Sequence, residues 1–176
     1  MCKILKQNFF DRSAIEVSKD LLGKYLVKKS GGAEAVKKIT EVEAYDGIED
    51  KACHASSGRT KRNKIMFGAP GFWYMYLIYG VYDMLNVVTG PDKYPSAILI
   101  RGVEGMNGPG ILTRDLDIKR RDFKNKKISP ETGLWIEDRG FVIEESDIST
   151  KKRVGVDYAE EWADKKWRFK IKNKKL

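Results

Sequence analysis

The sequence predicts a single α+β domain: an antiparallel, curved β-sheet with a protruding β-hairpin and a few peripheral helices. The chain has 176 residues, which fits one ordinary domain, and 41% of them are hydrophobic, enough for a continuous core. Short apolar runs bounded by turn residues recur along it, whereas helix signals are few. No internal repeat or Pro- or Ser-rich linker divides the chain, so we expect one domain over residues 1–176.

The first elements are a helix and two strands. Ser13 and Glu16 have the spacing of a capping box, and Gly23 can close the helix in a left-handed conformation. Strands are expected at 24–29 and 35–45. The two-residue period of the second strand places four side chains on one face: Ile39, Glu41, Glu43 and Tyr45.

The middle of the chain predicts a long loop followed by a hairpin. Residues 46–63 form a polar connection that is too long for a passive link, which favours a functional loop. An aromatic strand follows, with the hairpin turn at Tyr79–Gly80. Strands then return over 82–88 and 96–103, and short turns between them favour antiparallel pairing.

The last third of the chain is expected to hold a short helix and three strands. The helix covers 111–116, after the turn 108–110. Strands are expected at 141–143, 153–156 and 167–171. The basic residues between the helix and the strands are expected to be solvated.

The composition favours an intracellular partner of polyanions. Thirty-four basic and 25 acidic residues give a formal net charge of +9. This charge favours nucleic acid over membrane, although it also serves simple solubility. No apolar run approaches the roughly 20 residues that cross a bilayer, and the N-terminus lacks the pattern of a secretory signal. Two cysteines are too few for a disulfide framework or a four-cysteine zinc site, as expected of a reducing compartment.

Aromatic residues are concentrated where nucleobases could bind. Residues 71–82 carry four tyrosines and a tryptophan in a basic chain, and rings beside cations are typical of nucleic-acid binding. Both faces of this strand could also be core, but tyrosine is frequent where Val, Ile or Leu would pack without a hydroxyl. Tyr79 would project from the turn as a wedge. The basic segment 151–176, with Trp162 and Trp167, fits either a phosphate track or a solvated tail.

Two glutamates and one histidine could carry chemistry. A buried carboxylate that faces a cleft can take a proton from water, although a solvated acidic face also explains Glu41 and Glu43, and spacing does not choose between them. His54 is the only imidazole. Cys53 beside it lacks the geometry of a nucleophile–base pair. A metal site has no recognised ligand spacing here; its candidates would be Glu41, Glu43, Asp46, Asp50 and His54.

A series of motifs runs in order along the chain. They are 39–47 (ITEVEAYDG), His54, 58–63 (GRTKRN), 66–68 (MFG), 74–80 (YMYLIYG), 85–88 (LNVV), 98–101 (ILIR), 108–113 (GPGILT), 153–156 (RVGV) and 161–169 (EWADKKWRF). In this order they resemble the alkyladenine (3-methyladenine) DNA glycosylase family, from the first helix nearly to the C-terminus. Two departures are a short segment at 102–107 and an ending at 173–176 without the family's usual residues.

The resemblance implies a monofunctional base-excision-repair enzyme that hydrolyses an N-glycosidic bond without a cofactor or metal. Its partner would be double-stranded DNA that contains damaged purines. Apart from the resemblance, we expect a monomer, because no heptad or exposed apolar stripe asks for a partner, and a location in the cytoplasm (with the nucleoid) or the nucleus, because no secretory signal is present. Glu43 takes the position of the carboxylate that activates water, and Arg101 a position beside that water. The remaining positions form the base pocket (Tyr45, His54, Tyr76 and Asn86) and the residue that fills the gap in the duplex (Tyr79).

Contacts with the DNA backbone are expected from basic side chains: Arg59, Arg62, Lys165, Lys166 and Arg168. Two other functions fit part of the pattern. One is a module that grips distorted DNA through Tyr79 and the basic tail without chemistry. The other is a metal-dependent nuclease that uses Glu41, Glu43 and His54.

Overall fold

Antiparallel strands build this protein around one sheet, in a computed structural model that describes residues 2–172. The strands are β1 (Lys3–Ile4), β2 (Tyr25–Ser30), β3 (Ala33–Asp46), β4 (Trp73–Ile78), β5 (Tyr82–Thr89), β6 (Ser96–Val103), β7 (Met106–Asn107), β8 (Leu134–Asp138), β9 (Ile148–Lys151) and β10 (Arg168–Ile171). The main path runs β1-β8-β2-β3-β6-β5-β4; β10 pairs with β3 and β9, and β7 with β6. The predicted α+β class and antiparallel sheet are confirmed.

Short helices pack on the sheet or lie in its connections. The α-helices are α1 (Gln7–Phe10), α2 (Ala14–Leu21), α3 (Pro109–Asp115) and α4 (Arg120–Phe123). Helix α2 begins as predicted, because Ser13 Oγ accepts the Glu16 N–H at 3.2 Å, and Gly23 follows its end with a φ of +83°. Within residues 2–172, no helix combines the length and the apolarity that a bilayer span requires.

Strand β3 is the longest strand and its register changes along its length. Its first half pairs with β2 and its second half with β6. Ile39 lies opposite Val103 and Glu41 opposite Gly102, so Thr40 is the extra residue of a β-bulge. The bulge breaks the period of two, and Ile39 is therefore buried in the main core. The prediction that Ile39 shares a face with the two glutamates is wrong.

The aromatic hairpin forms as predicted between β4 and β5. Trp73 and Met75 point into the main core, whereas Tyr74 and Tyr76 lie in a second cluster on the other face. Both faces of this strand therefore pack in hydrophobic clusters, and a role of its rings in binding nucleobases stays a prediction. At the tip Tyr79 and Gly80 have φ values of +52° and +72°, the sign that a tight I′-type hairpin turn requires, and Tyr79 is 88% exposed.

Strands were expected at 141–143 and 153–156, and both predictions are wrong. Residues 141–143 form no strand, and Val142 is 75% exposed. Residues 153–156 form a loop. The Arg153 side chain is buried in an ion pair, and this contact directs the local backbone in place of pairing with a neighbouring strand. Strand β8 was missed since Leu134–Glu137 is buried on both faces between β1 and β2, which removes the alternation that marks a strand.

Candidate active site

A row of side chains across four strands forms the floor of a cavity. The antiparallel register places Glu43 opposite Leu99, Leu99 opposite Asn86, and Asn86 opposite Tyr74. Directly opposed residues on one face lie within contact distance. The cavity above them measures about 120 Å³, and residues 154–156 contribute to its wall. All six residues expected at the catalytic centre and base pocket line it: Glu43, Tyr45, His54, Tyr76, Asn86 and Arg101.

Glu43 is a buried carboxylate held by donors on both oxygens. The Val154 amide N–H donates to Oε1 at 2.8 Å, and the Tyr45 hydroxyl donates to Oε2 at 2.9 Å. Burial raises the pKa of Glu43, and the Arg101 guanidinium, 3.5 Å from Oε1, offsets part of that increase together with the two hydrogen bonds. This arrangement fixes the carboxylate in place and makes it a stronger base than an exposed glutamate.

Glu41 has the opposite electrostatic environment. Its carboxylate lies 3.2 Å from Arg101 Nε, 3.2 Å from Arg168 Nε and 3.1 Å from Lys170 Nζ. Burial alone would raise the pKa of Glu41, but the hydrogen bond and charge of Lys170 and the charges of the two arginines outweigh it and lower the pKa. Glu41 is thus an ion-pair partner of three cations, which favour its ionised form. It is not among the residues that line the cavity.

Arg101 joins the two carboxylates. The pairs Glu41–Gly102 and Val42–Ile100 leave Arg101 without an opposite residue, which makes it a second bulge in this ladder. From there its Nε contacts Glu41 and its Nη1 approaches Glu43, and the side chain is only 16% exposed. Arg101 therefore brings a positive charge to the floor of the cavity.

One wall of the cavity is aromatic. The His54 and Tyr76 rings meet edge to face with centroids 4.6 Å apart, and the Tyr74 ring lies 5.6 Å from Tyr76. His54 Nδ1 lies 2.8 Å from the Tyr74 hydroxyl, and Arg62 Nη2 lies 3.4 Å from His54 Nε2. Because a guanidinium only donates, Nε2 is assigned as the acceptor and Nδ1 as the protonated nitrogen.

Burial, and then the charge of Arg62, lowers the pKa of His54 to about 4. The imidazole is consequently neutral at physiological pH and acts as a ring, not as a titrating acid. Burial also raises the pKa of the neighbouring Cys53 thiol to about 12, so it is not a nucleophile. Among residues 2–172, no three His, Cys, Asp or Glu side chains form a group that could hold a metal ion.

The structure places the residues expected at DNA in different environments. Tyr79 lies at the exposed hairpin tip beside Val81 and Tyr82, which are 69% and 46% exposed. Arg62 is exposed and does not itself line the cavity, but its guanidinium lies 5.0 Å from the centre of the Tyr76 ring, which does.

Of the other basic candidates, Arg59, Lys165 and Lys166 are exposed. Arg168 is half-buried against Glu41. Residues 173–176, the end of the basic segment, lie outside the described residues.

Sequence reasoning missed the roles of four residues at the site. Asp50 and Arg153 form a fully buried ion pair, and Val154 supplies the amide that reaches Glu43. Asp50 was weighed only as a metal ligand, and Arg153 as part of a strand, of the basic segment 151–176 and of the motif 153–156, without a role at the site. Their 103-residue separation leaves no local signal. Tyr158, 68% exposed at the rim of the cavity, was also missed.

Known proteins resemble this chain over nearly its full length. The model of a family described as methylpurine-DNA glycosylase (MPG) matches residues 8–175. A Methanocella arvoryzae protein is 42% identical over 97% of this chain and 93% of its own length. A Legionella pneumophila (strain Lens) protein is 42% identical over 96% of this chain and 94% of its own length. An Anaeromyxobacter sp. (strain Fw109-5) protein is 43% identical over 95% of this chain and 88% of its own length. Each is named "Putative 3-methyladenine DNA glycosylase".

Proposed function

This chain belongs to the methylpurine-DNA glycosylase family, and from that premise we propose that it excises 3-methyladenine-type purines from duplex DNA by hydrolysing the N-glycosidic bond. It would act as one domain over residues 1–176 in intracellular base-excision repair. The observation that carries the proposal is the buried Glu43 carboxylate at the floor of a ring-lined cavity. Such a site suits attack by an activated water on the sugar C1′ of a nucleotide whose base has left its stack.

Access to this cavity requires base flipping. Glu43 is fully buried, so a nucleotide within an intact duplex cannot bring its sugar to it. Extrusion costs a few kcal/mol, and least for a damaged pair. The Tyr79 ring at the hairpin tip would enter the vacated position and replace part of the lost stacking. Exposed Arg59, Lys165 and Lys166 would contact phosphates.

The pocket would select alkylated purines through charge and shape. Alkylation at N3 makes the base cationic, and the electron-rich faces of Tyr45 and Tyr76 attract a cation by about 0.5–2 kcal/mol each. His54, being neutral, adds a ring without repelling that charge. Asn86 is 2% exposed, lies in the floor row and would contact the edge of the base, which gives discrimination against normal guanine.

The chemical step needs one base and one well-placed charge. A water oxygen bonds to C1′ of the sugar while the C1′–N bond breaks. The electron pair of the C1′–N bond leaves with the base. Glu43 takes the proton that the water loses, and its negative charge stabilises the oxocarbenium-like centre until then. A cationic N3-alkylated base departs neutral, so it needs no proton from the enzyme. Arg101, 3.5 Å from Glu43, keeps the carboxylate ionised and lies close to the water.

The direct test is a duplex that carries one 3-methyladenine. We expect free base and an intact strand with an abasic site, insensitive to chelators, and no protein–DNA adduct after borohydride reduction. A borohydride adduct would indicate a lysine nucleophile and a lyase instead. Lesion binding without an abasic product would identify a binding module, and strand scission removed by a chelator would identify a metal nuclease.

The dependence of the rate on pH should report Glu43 and not His54. Only the ionised carboxylate accepts a proton, so the rate falls as pH drops through the pKa of Glu43, which burial raises above the ordinary glutamate value. Tyr45→Phe removes a hydrogen bond to the charged form, so the acid limb should move to higher pH. Single-turnover rates from pH 4 to 9 measure the acid limb of the wild type and that of Tyr45→Phe.

The control for this profile is His54→Gln, which should leave the midpoint of the acid limb in place. The pKa of His54 is lowered to about 4, the lower end of the assay range, so the imidazole stays neutral over most of that range. An inflection near the ordinary histidine pKa of about 6.5 that disappears in this variant would show that His54, and not Glu43, controls the profile.

A further inference from the structure

Asp50 and Arg153 form a fully buried ion pair, and neither residue lines the cavity. Arg153 Nη1 donates to Asp50 Oδ2 at 2.5 Å, and Nη2 donates to Oδ1 at 2.8 Å. This is a bidentate pair, the strongest geometry available to the two groups. Because desolvation of both charges opposes their attraction, such a pair is weak evidence for a role in stability alone.

Two of the other contacts of Arg153 lead to the active site, those with Ala44 and Tyr45. Its guanidinium also donates to the Ala44 carbonyl at 2.9 Å and to the Trp162 carbonyl at 3.0 Å. Ala44 lies between Glu43 and Tyr45 on β3. The same guanidinium stacks on the Tyr45 ring at 4.9 Å. Arg153 therefore holds both the strand that carries Glu43 and the ring whose hydroxyl binds it.

Asp50 orders the loop that delivers His54. Its Oδ1 accepts the Ala52 N–H at 3.0 Å, its Oδ2 accepts the Asp46 N–H at 3.2 Å, and its carbonyl accepts the Cys53 N–H at 2.8 Å. These bonds fold the chain back directly before His54. The ion pair thus joins two loops that both contribute residues to the cavity wall.

We propose that Asp50 and Arg153 are positioning residues for Glu43, which hold the 152–156 loop so that the Val154 amide reaches Oε1 and hold Tyr45 so that its hydroxyl reaches Oε2. This proposal rests on the proposed function. Both hydrogen bonds to the carboxylate are made by immediate neighbours of the pair: Val154 is the next residue after Arg153, and Tyr45 lies under its guanidinium.

Several other groups face or influence Glu43, and they do not depend on the pair. They are Arg101 on β6, Tyr76 on β4, Arg168 on β10 and Glu41, which shares Arg101 with Glu43. A hydrogen bond to a carboxylate favours its charged form. Loosening the Val154 and Tyr45 bonds, with the other groups in place, should therefore raise the pKa of Glu43.

The test compares three variants: Arg153→Lys, Asp50→Asn, and Asp50→Asn combined with Arg153→Met. The first two weaken the pair, and the third removes both charges while methionine preserves packing on Tyr45. Glu43 is followed by a pH titration of ¹³C-labelled glutamate carboxyls, and its signal is identified by its absence in Glu43→Gln. We expect a higher Glu43 pKa in all three variants. The matched control is Arg139→Lys, whose pair with Glu137 lies outside the cavity and should leave Glu43 unchanged.

Activity and stability should separate in the double variant. Without an unpaired buried charge it should unfold near the wild-type temperature, yet its single-turnover rate should fall about 10- to 100-fold, since misplacement of a catalytic group by about 1 Å has that effect. An unchanged Glu43 titration in the folded variants, a wild-type rate in the double variant, or failure of all three to fold would overturn the proposal. The titration needs no substrate, so an inactive wild-type protein would refute the proposed function alone.

Discussion

Glu43→Gln is expected to stop base release almost completely, with a single-turnover rate about 10²- to 10⁴-fold lower than wild type. The amide cannot accept a proton from water and carries no charge to stabilise the sugar cation. It can keep both hydrogen bonds, because its oxygen accepts from Val154 and its NH₂ donates to the Tyr45 hydroxyl. The fold and the affinity for a lesion duplex should therefore persist, as fluorescence anisotropy and thermal unfolding would show.

The matched control is Glu41→Gln, the same change two residues away on the same strand. Glu41 contacts three cations and not the cavity, so its loss should affect stability more than the rate. Base release within about tenfold of wild type is expected for this variant, the range of an indirect effect through Arg101. If Glu41→Gln stopped the reaction and Glu43→Gln did not, the roles assigned to the two carboxylates would be reversed.

Tyr79→Gly should stabilise the protein and weaken its binding to DNA. Tyr79 has a φ of +52°, a conformation that costs a non-glycine residue about 1 kcal/mol and that glycine adopts freely. Removal of the ring takes away a stacking contact worth about 1–3 kcal/mol, which corresponds to a loss of about 5- to 150-fold in affinity. Urea unfolding and anisotropy with a lesion duplex measure the two effects.

Lys93→Gly provides the control for backbone strain. Lys93 is exposed, lies in the turn between β5 and β6 and has a φ of +71°, but it is outside the cavity and the hairpin tip. It should show a similar gain in stability and no comparable loss of affinity. Wild-type affinity in Tyr79→Gly would show that the tip does not enter the duplex.

Local patterns were sufficient to predict much of this fold. The capping box at Ser13, the hairpin turn at Tyr79–Gly80 and the strand at Ser96–Val103 depend on neighbouring residues, and all three form. The two-residue period also placed Glu41 and Glu43 on one face, where both contact Arg101. These features need only the preferences of a short segment.

Features that depend on distant residues escaped prediction. The bulge at Thr40 appears only when β3 pairs with β6, and it moved Ile39 to the other face. Residues 153–156 form a loop in place of the expected strand, because the Arg153 guanidinium binds the carboxylate of Asp50, which lies 103 residues away in the sequence. The spacing could not rank Glu41 and Glu43 either, since the difference between them comes from Arg168 and Lys170 on β10. Each case requires tertiary contacts that no local pattern contains.

The floor of the cavity, Glu43–Leu99–Asn86–Tyr74, is a single line of side chains that crosses β3, β6, β5 and β4. The pairing register of these strands, which determines the fold, thus also determines the spacing of the groups at the site. A shift of one residue in the register of any of these strands would turn the side chain that it contributes to the cavity floor to the opposite face of the sheet. Turnover and native circular dichroism should accordingly vanish together at one denaturant midpoint, with no folded yet inactive species between them.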